Sequence, residues 1–392
     1  MLITIFWILV GIILYTYFGY TALLLLLNGF KFIFRIEKRY PYKPELLPEV
    51  TLLIAAYNEI DIVEKKMRNT GDINYPKDRL KVLWVTDGSD DGTPEKLATF
   101  KNISVLHRIE REGKTAALNR AMQHVNTPYV IFCDANAMLA SNSVHELLSH
   151  FADPKVGCVA GEKRIIRSAS GLASGTGEGI YWKYESFIKK LESWFYSTLG
   201  AAGELYAIRT ELFSPIDTDF IVDDFVNSLK IALKGYKIKY TPNAYATEYP
   251  SFNIKEELKR KIRIATGGFQ TIAKIPSLLN IFKHGLLSFE FISHKVLRWT
   301  VVPISLPAIL CINIAICNNS GWSSGLFNSI LILQSIFYFI SIFGFWMEKL
   351  SLRLKILYLP YYLCMMNYAQ MAGFIRFLNR SQTVVWEKAR RR

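Results

Sequence analysis

The sequence predicts an α/β domain with a mostly parallel sheet, flanked by transmembrane and interfacial helices. Between residues 49 and 250, short apolar runs alternate with longer helical patterns, the order that produces parallel strands covered by helices on both faces. One long uncharged apolar run precedes this region, and two further long apolar runs follow it. The chain has 392 residues, of which 51% are hydrophobic and 20% charged, and its mean hydropathy is +0.17. Part of the chain is therefore expected to lie in lipid.

The first element is an apolar run from Leu2 to Phe30 that contains no charged residue. It is longer than the ~20 residues a helix needs to cross a bilayer, and it predicts a transmembrane helix over residues 1–30. A signal peptide would need a basic start, a shorter apolar core and a small-residue cleavage site, so we expect this helix to stay attached. Residues 31–48 then form a basic juxtamembrane linker that carries Lys31, Arg35, Lys38, Arg39 and Lys43.

The domain over residues 49–250 is predicted from four apolar strands: VTLLIAAY, LKVLWVTD, ISVLHR and YVIFCDA. Helical patterns separate them near residues 61–69, from Pro94, and at residues 115–124. In such a sheet, ligands bind beyond the carboxyl ends of the strands. Three polar clusters stand at such ends: Tyr57 to Glu59, Asp87 to Asp91, and Asp134 with Asn136.

Several classes of site are excluded. No G-x-G-x-x-G follows the first strand, and REGKTAALN lacks the earlier glycine of a phosphate-binding loop, so dehydrogenase and P-loop ATPase functions are not supported. Six scattered histidines and five unpaired cysteines predict neither a zinc site nor a disulfide framework. The remaining carboxylates and amides suit Mg²⁺ or Mn²⁺ holding a diphosphate. The net charge of +14 comes without any nucleic-acid-binding motif, so no nucleic acid partner is expected.

Residues 251–295 are predicted to be amphipathic interfacial helices. Between Ser251 and Trp299, nine Lys or Arg residues stand against three Glu and are interleaved with Ile, Leu and Phe. This pattern favours helices lying in an anionic membrane surface, so membrane lipid is an expected partner. A solvated basic helix is the alternative.

The C-terminal transmembrane region covers residues 296–378 and is followed by a basic tail, residues 379–392. Val296–Cys317 and Leu326–Trp346 predict a helical hairpin with an uncharged tip. Basic residues follow the first and third spans, so the polar domain over residues 49–250 of this multi-pass cell-membrane protein is expected in the cytoplasm. A last stretch, Ile356–Ile375, is interrupted by polar residues and Pro360, and whether it spans fully stays open.

Six motifs in chain order, AAYNE, VTDGSDDGT, GKTAALN, CDAN, GELYAIR and VDD, resemble those of the inverting glycosyltransferases of family 2. In particular they resemble its membrane-embedded branch, which includes synthases of hyaluronan, chitin, cellulose and poly-N-acetylglucosamine. The similarity runs from about Glu49 to near Gly268. It implies a GT-A-like nucleotide-sugar-binding fold, a hexosyltransferase activity, a UDP-sugar donor, and Mg or Mn as the cofactor.

The resemblance also implies roles for individual residues on the donor side. It places Tyr57, Glu59, Asp87 and Asp91 at the uridine, although Asp91 could instead cap a turn. Lys114 would neutralise a phosphate. The metal motif reads Asp134, Ala135, Asn136, so an amide replaces the second carboxylate and the ion is expected to be held more weakly.

On the acceptor side, the resemblance assigns Asp224 as the catalytic base, with Asp223 supporting it; a capping role at the helix start is the alternative. Gly203, Glu204 and Glu162 would lie where the acceptor approaches. The arginine of a degraded Q-x-x-R-W motif is Arg263, which is expected to grip the diphosphate. The aromatic stretch around Trp182 would either stack on sugars or pack the core.

Three functions stay open at this point. The first is extension of a β-linked polysaccharide at the cytoplasmic face. This function could be coupled to export of the polymer, and an accessory export subunit would then be a compatible partner. The second is transfer of a single sugar to a lipid-linked or other saccharide acceptor. The third, motivated by Asn136, is a non-catalytic export or scaffold subunit. Nothing in the sequence identifies the sugar.

Overall fold

A computed structural model describes residues 1–34, 47–166, 173–349 and 355–383, and its centre is a single eight-stranded sheet. The strand order is β3-β2-β1-β4-β7-β6-β8-β5. The strands are β1 Val50–Ala56, β2 Leu80–Asp87, β3 Ser104–Arg108, β4 Tyr129–Asp134, β5 Met138–Leu139, β6 Val156–Ile165, β7 Tyr206–Arg209 and β8 Lys237–Glu248.

The four strands predicted from the sequence form the parallel half of the sheet, in the order β3-β2-β1-β4. β7 then pairs antiparallel with both β4 and β6, β8 pairs parallel with β6, and β5 closes the edge antiparallel to β8. Because β7 reverses direction between them, β4 and β6 run the same way. The predicted mostly parallel α/β sheet is thus confirmed, with a mixed half that the sequence patterns left unassigned.

Every residue of β1 is buried, as expected for a central strand covered on both faces. Leu53 and Ala55 point into one hydrophobic core with helices on that side. Leu52 and Ile54 point into a second core on the other side. Burial on both faces explains why the strand is apolar throughout. The polar clusters lie beyond its carboxyl end.

The helices cover the sheet and build the membrane-facing part. They are α1 Leu2–Leu14, α2 Tyr20–Ile33, α3 Ile60–Gly71, α4 Thr93–Ala98, α5 Lys114–Met122, α6 Ser143–Ser149, α7 Ala173–Phe195, α8 Asp223–Leu233, α9 Ile254–Lys274, α10 Ile281–His284, α11 Leu286–Glu290, α12 Leu297–Trp299, α13 Val301–Asn319, α14 Gly325–Lys349 and α15 Lys355–Leu378. Short π-helical segments join α1 to α2 and α11 to α12.

Three helical segments are long and apolar enough to cross a membrane: Leu2–Ile33, Val301–Asn319 and Gly325–Met347. They match the three spans predicted from the sequence. The first and third pack through Phe6 and Phe327, whose ring centroids lie 5.5 Å apart in an edge-on arrangement. Their outward faces are rich in exposed apolar side chains, as lipid contact requires.

The uncertain last stretch folds as the single helix α15, which runs through Pro360. It is not among the described segments with the length and composition of a span. α15 packs against α14 and against the interfacial helix α9, where Gly373 lies so close to α9 that an added Cβ would come within 2.5 Å of the Ala265 Cβ. Whether α15 crosses the membrane stays a prediction, as do the domain boundaries.

Helix α7 joins the membrane helices to the sheet. Asn28 donates a hydrogen bond of 2.9 Å from Nδ2 to the carbonyl of Leu191. Lys31 Nζ donates to the carbonyls of Trp194 and Phe195, at 2.6 and 2.9 Å, which satisfies the free carbonyl end of α7. The C-terminal half of α7 is therefore attached to the first membrane helix.

Candidate active site

Three chain segments bring their charged ends together at one edge of the sheet. Asp134 is the last residue of β4, Lys114 is the first residue of α5, and Asp223 and Asp224 open α8. Lys114 Nζ donates a hydrogen bond of 2.7 Å to Asp134 Oδ1 and lies 3.9 Å from Asp223 Oδ2. The carboxylate predicted to hold the cation and the pair predicted to supply the base therefore share one lysine.

These residues line a cavity of about 600 Å³ between the sheet, α7, α9, α12 and α15. The cavity brings together seven residues assigned from the sequence: Lys114, Asp134, Gly203, Glu204, Asp223, Asp224 and Arg263. The other assigned residues are not among those that line it. This second group consists of Tyr57, Glu59, Asp87, Asp91, Asn136 and Glu162.

The Asp224 carboxyl has the electrostatics of a base that works near neutral pH. Burial, followed by the neighbouring Asp223 carboxylate, raises its pKa to about 7, while the Lys114 ammonium opposes the rise. The Phe225 amide donates to Asp224 Oδ1 at 2.8 Å, which fixes one oxygen at the start of α8. A carboxyl group poised in this way can take a proton from a bound hydroxyl.

Lys114 keeps its positive charge in this setting. Burial alone would lower its pKa, but the carboxylates of Asp134, Asp223 and Asp224 together raise it above the ordinary value. Burial also raises the pKa of Asp134, against the effect of Lys114. The result is a fixed cation among three acids, at the point where the donor phosphates are expected.

Gly203 and Glu204 form the wall opposite the acids. A Cβ on Gly203 would lie 3.1 Å from Lys114 Nζ and 3.3 Å from Asp224 Oδ2, so the glycine keeps this space open. Burial opposes ionisation of Glu204, but Lys163 beside it holds its pKa well below the usual range. Glu204 therefore remains an anion, ion-paired to Lys163, at the cavity surface.

On the predicted donor side, an arginine stacks on an aromatic ring. The AAYNE motif predicted the aromatic residue, Tyr57, but no motif predicted the arginine, Arg111. The Arg111 guanidinium lies 3.6 Å from the centroid of the Tyr57 ring. Asn58 adopts a left-handed backbone conformation, with φ of +53°, and exchanges hydrogen bonds with Asp90. The loops after β1 and β2 are thus tied together, with an aromatic and a planar cation on their surface.

Three residues assigned to the donor hold these loops together. Asp87 is buried, and its Oδ2 accepts the amides of Glu112 and Gly113, at 3.0 and 2.6 Å. Asp91 Oδ2 accepts the amide of Ile60 at the start of α3, and its Oδ1 accepts the Thr93 amide.

Asp91 therefore performs the capping role that was its alternative. Glu59 is buried at the N-cap position of α3. Direct contact of these three residues with a donor stays a prediction.

The pair assigned to the metal has oxygen atoms suited to a hard divalent cation. The Asn136 Oδ1 atom is buried and has no hydrogen-bond partner among the described residues. Asp134 supplies a carboxylate, one oxygen of which is held by Lys114. No cluster of three or more His, Cys, Asp or Glu that could hold a metal occurs in residues 1–34, 47–166, 173–349 and 355–383. A cation here would need phosphate oxygens to complete its shell.

Glu162 and Arg263 differ in their surroundings. Glu162 Oε1 accepts a hydrogen bond of 2.8 Å from Ser186 on α7, and burial raises its pKa. Arg263 lines the cavity from α9 and has no hydrogen bond or ion pair with any described residue. Its guanidinium is thus available to an anionic ligand.

Sequence reasoning missed Arg111, Lys163 and Lys189. The first stands next to the GKTAALN motif and the second follows Glu162, so proximity to a motif was their only signal. Lys189 lies on α7 in a stretch that was interpreted for its aromatic residues. Of that stretch, Trp182 lines the cavity, whereas Tyr184 and Phe195 pack around Tyr20 and Leu24 of α2.

Comparisons with known proteins agree with the resemblance. Residues 51–216 match the family model described as glycosyl transferase family 2. The poly-β-1,6-N-acetyl-D-glucosamine synthase of Staphylococcus aureus (strain MSSA476) is 28% identical over 256 residues, covering 62% of this chain and 61% of the relative. That of Staphylococcus epidermidis is 26% identical over 271 residues, covering 67% and 65%. The matches thus span less than two thirds of these relatives.

Among solved structures, a mannosyltransferase from Pyrobaculum calidifontis in complex with GDP-Man and Mn²⁺ has the same fold. Its TM-score is 0.69, its sequence identity is 23%, and the alignment covers 96% of this chain and 99% of the other. The similarity extends beyond the sheet to the helices that precede and follow it. The predicted GT-A-like fold with flanking membrane helices is thereby confirmed.

Proposed function

We propose that this membrane protein is a family 2 glycosyltransferase, as the match of residues 51–216 supports, and that it transfers a sugar from a UDP-sugar to a growing β-linked saccharide, with inversion at the transferred carbon. The observation that carries the proposal is the convergence of Asp134, Lys114, Asp223 and Asp224 on one cavity. Inverting transfer needs a base on one side of the reacting carbon and charge neutralisation on the other. This arrangement supplies both.

Asp224 is the proposed catalytic base. Its pKa of about 7 leaves a large fraction ionised at neutral pH, so its free oxygen can accept the proton of the attacking hydroxyl. The acceptor oxygen then forms the new bond to the anomeric carbon as the bond to the diphosphate breaks. Asp223 acts through Asp224 as a positioning residue, because its charge keeps the neighbouring pKa high.

Lys114 and Arg263 are proposed to receive the diphosphate. Lys114 is a permanent cation beside Asp134, and Arg263 presents a guanidinium with no partner among the described residues. Negative charge grows on the leaving group as the glycosidic bond breaks. Fixed cations aimed at that charge stabilise the transition state more than the ground state.

Asp134 and Asn136 are the residues that would hold Mg²⁺ or Mn²⁺, together with the donor phosphates. The unpartnered Asn136 oxygen and the Asp134 carboxylate fit such an ion. When bound, the cation supplies further neutralisation of the diphosphate. With one carboxylate replaced by an amide, we expect the protein to bind the ion weakly in the absence of nucleotide.

Polymer extension rests on the curated relatives, which are named as synthases of poly-β-1,6-N-acetyl-D-glucosamine. Transfer of a single sugar to a lipid-linked acceptor is the second candidate, favoured by the position of the cavity against membrane-facing helices. The presence of Asp87, Asp134 and Asp224 argues against a non-catalytic export subunit. The proposal also includes a cytoplasmic catalytic domain, which the charge distribution supports. It further includes coupling to export and an accessory subunit, which the membrane architecture supports.

The test is incubation of the purified protein with a panel of nucleotide sugars and Mg²⁺ or Mn²⁺, measuring nucleotide release and product length. Asp224→Asn should lower turnover by roughly 10²- to 10⁴-fold, the usual contribution of a positioned base. Asp217→Asn, an exposed carboxylate outside the cavity, is the matched control and should leave turnover unchanged.

Products with one added residue would exclude polymer extension. Unchanged output from the Asp224 variant would exclude catalysis at this site.

A further inference from the structure

Helix α7 presents to the cavity a lysine without a partner. Lys189 is only 8% exposed, yet it lines the cavity. Its ammonium makes no hydrogen bond or ion pair with any described residue. The rings of Trp182 and Tyr240 lie 5.8 and 6.0 Å from its Nζ. A ligand that carries an anion could therefore pair with this ammonium without displacing a carboxylate of the protein.

The surroundings of Lys189 carry an excess of positive charge. Lys261 Nζ lies 5.2 Å and Lys163 Nζ 5.7 Å from the centroid of the Trp182 ring, so three ammonium groups surround one indole. Lys163 and Lys261 pair with glutamates of their own. Lys189 has no such ion pair with any described residue.

Glu185, one helical turn before Lys189 on α7, and Glu162 both have other hydrogen-bond partners. Glu185 accepts hydrogen bonds from Lys295 and Arg298 and lies 3.2 Å from His294. Glu162 accepts a hydrogen bond from Ser186 through Oε1, and although the Lys189 ammonium favours its ionised form, the two groups form no ion pair or hydrogen bond. An anion from outside the protein is the group that this site lacks.

Sheet order places Lys189 away from the donor. Tyr57 and Asp87 follow β1 and β2, and Asp134 ends β4, so the donor half of the site is on the β1–β4 side. Tyr240 belongs to β8 and Lys163 to β6, beyond β7 in the sheet. The lysine therefore faces the half of the cavity from which an acceptor must approach Asp224.

This half of the cavity borders the membrane-facing helices. Met366 and Gln370 of α15 and several residues of α9 line the cavity, and Tyr181, the chain neighbour of Trp182, packs against Tyr362 of α15. α15 packs directly on α14, one of the segments able to cross a membrane. A molecule held in the lipid could thus place a polar head beside Lys189.

We propose that Lys189, at the face of Trp182, binds an anionic group carried by the acceptor. The phosphate of a lipid-linked acceptor and the carboxylate of an acidic sugar share this chemistry. The inference rests on the proposed function, since it assigns a chemical class to the acceptor of the same transferase. Trp182 supplies a flat apolar face for the part of the ligand next to the anion, and Lys189 supplies the charge.

The test is direct binding to the purified full chain, measured by calorimetry in detergent. The probes are farnesyl phosphate, farnesol, a tetrasaccharide ending in glucuronate, and its neutral counterpart. Lys189→Met keeps an unbranched apolar side chain and removes the charge. Lys189→Arg keeps the charge, and Lys183→Met is the matched control, because Lys183 is an exposed lysine on the same helix that does not line the cavity.

Loss of one charged partner should weaken binding of an anionic probe by roughly 10- to 100-fold. We expect this loss in Lys189→Met, recovery in Lys189→Arg, and no change in Lys183→Met. Farnesol and the neutral saccharide should bind wild type and Lys189→Met alike. Dependence on Lys189 for farnesyl phosphate alone identifies a lipid phosphate, and dependence for the glucuronate saccharide alone identifies an acidic sugar.

Equal affinity of wild type and Lys189→Met for both anionic probes, with melting temperatures also equal, would overturn the proposal. Nucleotide release from UDP-sugars is measured in parallel. A wild-type protein that releases no nucleotide would refute the proposed function, while the binding comparison still decides whether Lys189 holds an anion.

Discussion

The pH dependence of transfer provides a direct test of the base, because the Asp224 carboxyl has a pKa of about 7. A base must be deprotonated to accept a proton, so activity should be low at acid pH and rise as the pH passes through this value. With that pKa, the ionised fraction is roughly 9% at pH 6 and roughly 91% at pH 8, and turnover should rise roughly tenfold between them. An ordinary aspartate, with a pKa of about 3.9, would give a flat profile over this range.

The cause of the shift can be tested separately. Burial is the largest contribution, and the neighbouring Asp223 carboxylate is the next, whereas Lys114 acts in the opposite direction. Asp223→Asn removes a negative charge while preserving shape, so it should lower the pKa of Asp224 and move the rising limb to lower pH. At pH 6 the variant would then retain a larger share of its own maximal rate than wild type does.

The assay is nucleotide release against pH from 5 to 9 at saturating donor, acceptor and Mn²⁺, with the purified protein. Asp217→Asn serves again as the control and should reproduce the wild-type profile. A wild-type rate that is constant from pH 6 to pH 8, or a rising limb that moves upward in Asp223→Asn, would contradict the assignment of Asp224 as the base.

Three further predictions concern the groups around this base. Lys114→Met should reduce turnover by roughly 10²- to 10³-fold, the usual cost of removing one group that stabilises developing charge, and unchanged turnover would exclude its contact with the diphosphate. Gly203→Ala should lower turnover without lowering the melting temperature, because its Cβ would lie 3.1 Å from Lys114 Nζ; equal activity would show that this space is not used. Asn136→Asp should reduce the Mn²⁺ concentration for half-maximal activity, since it adds a carboxylate beside Asp134, and a higher requirement would argue against this metal site.

The parallel half of the sheet was predictable because its strands are continuous apolar runs, each followed by a polar cluster. β1 is buried at every position, so its continuous apolar sequence predicts a central strand. The mixed half is harder to read. β6 and β8 include charged and small residues, such as Glu162 and Lys163 of β6, and these residues interrupt the usual alternation of a strand.

The candidate site was predictable where chemistry and motif coincide. Lys114, Asp134 and Asp224 stand in recognisable motifs, and the structure brings them to one cavity. Asp87 and Asp91 show the limit of the method. The resemblance implies that they contact the uridine, which stays a prediction, whereas the backbone amides that their oxygens accept are visible only in the geometry of the loops.

Lys189 could not have been singled out from the sequence. A lysine within an amphipathic helix is ordinarily a solvated residue, and its neighbours in the chain give no sign that it turns inward. Its significance depends on burial and on the absence of a partner among the described residues, two properties that arise only when α7 is packed against β6 and β8.

The attachment of α7 to the first membrane helix has a consequence for how this enzyme can be studied. Cutting the chain after residue 34 to obtain a water-soluble fragment would uncover Ile188 and Leu191, which now pack on Tyr20 and Leu24. It would also strip the end of α7 of the bonds from Asn28 and Lys31. The same helix bears Trp182 and Lys189, so the fragment would be damaged at the candidate active site as well as at its newly exposed surface. The first membrane helix therefore also holds in place the helix that forms one wall of the candidate active site.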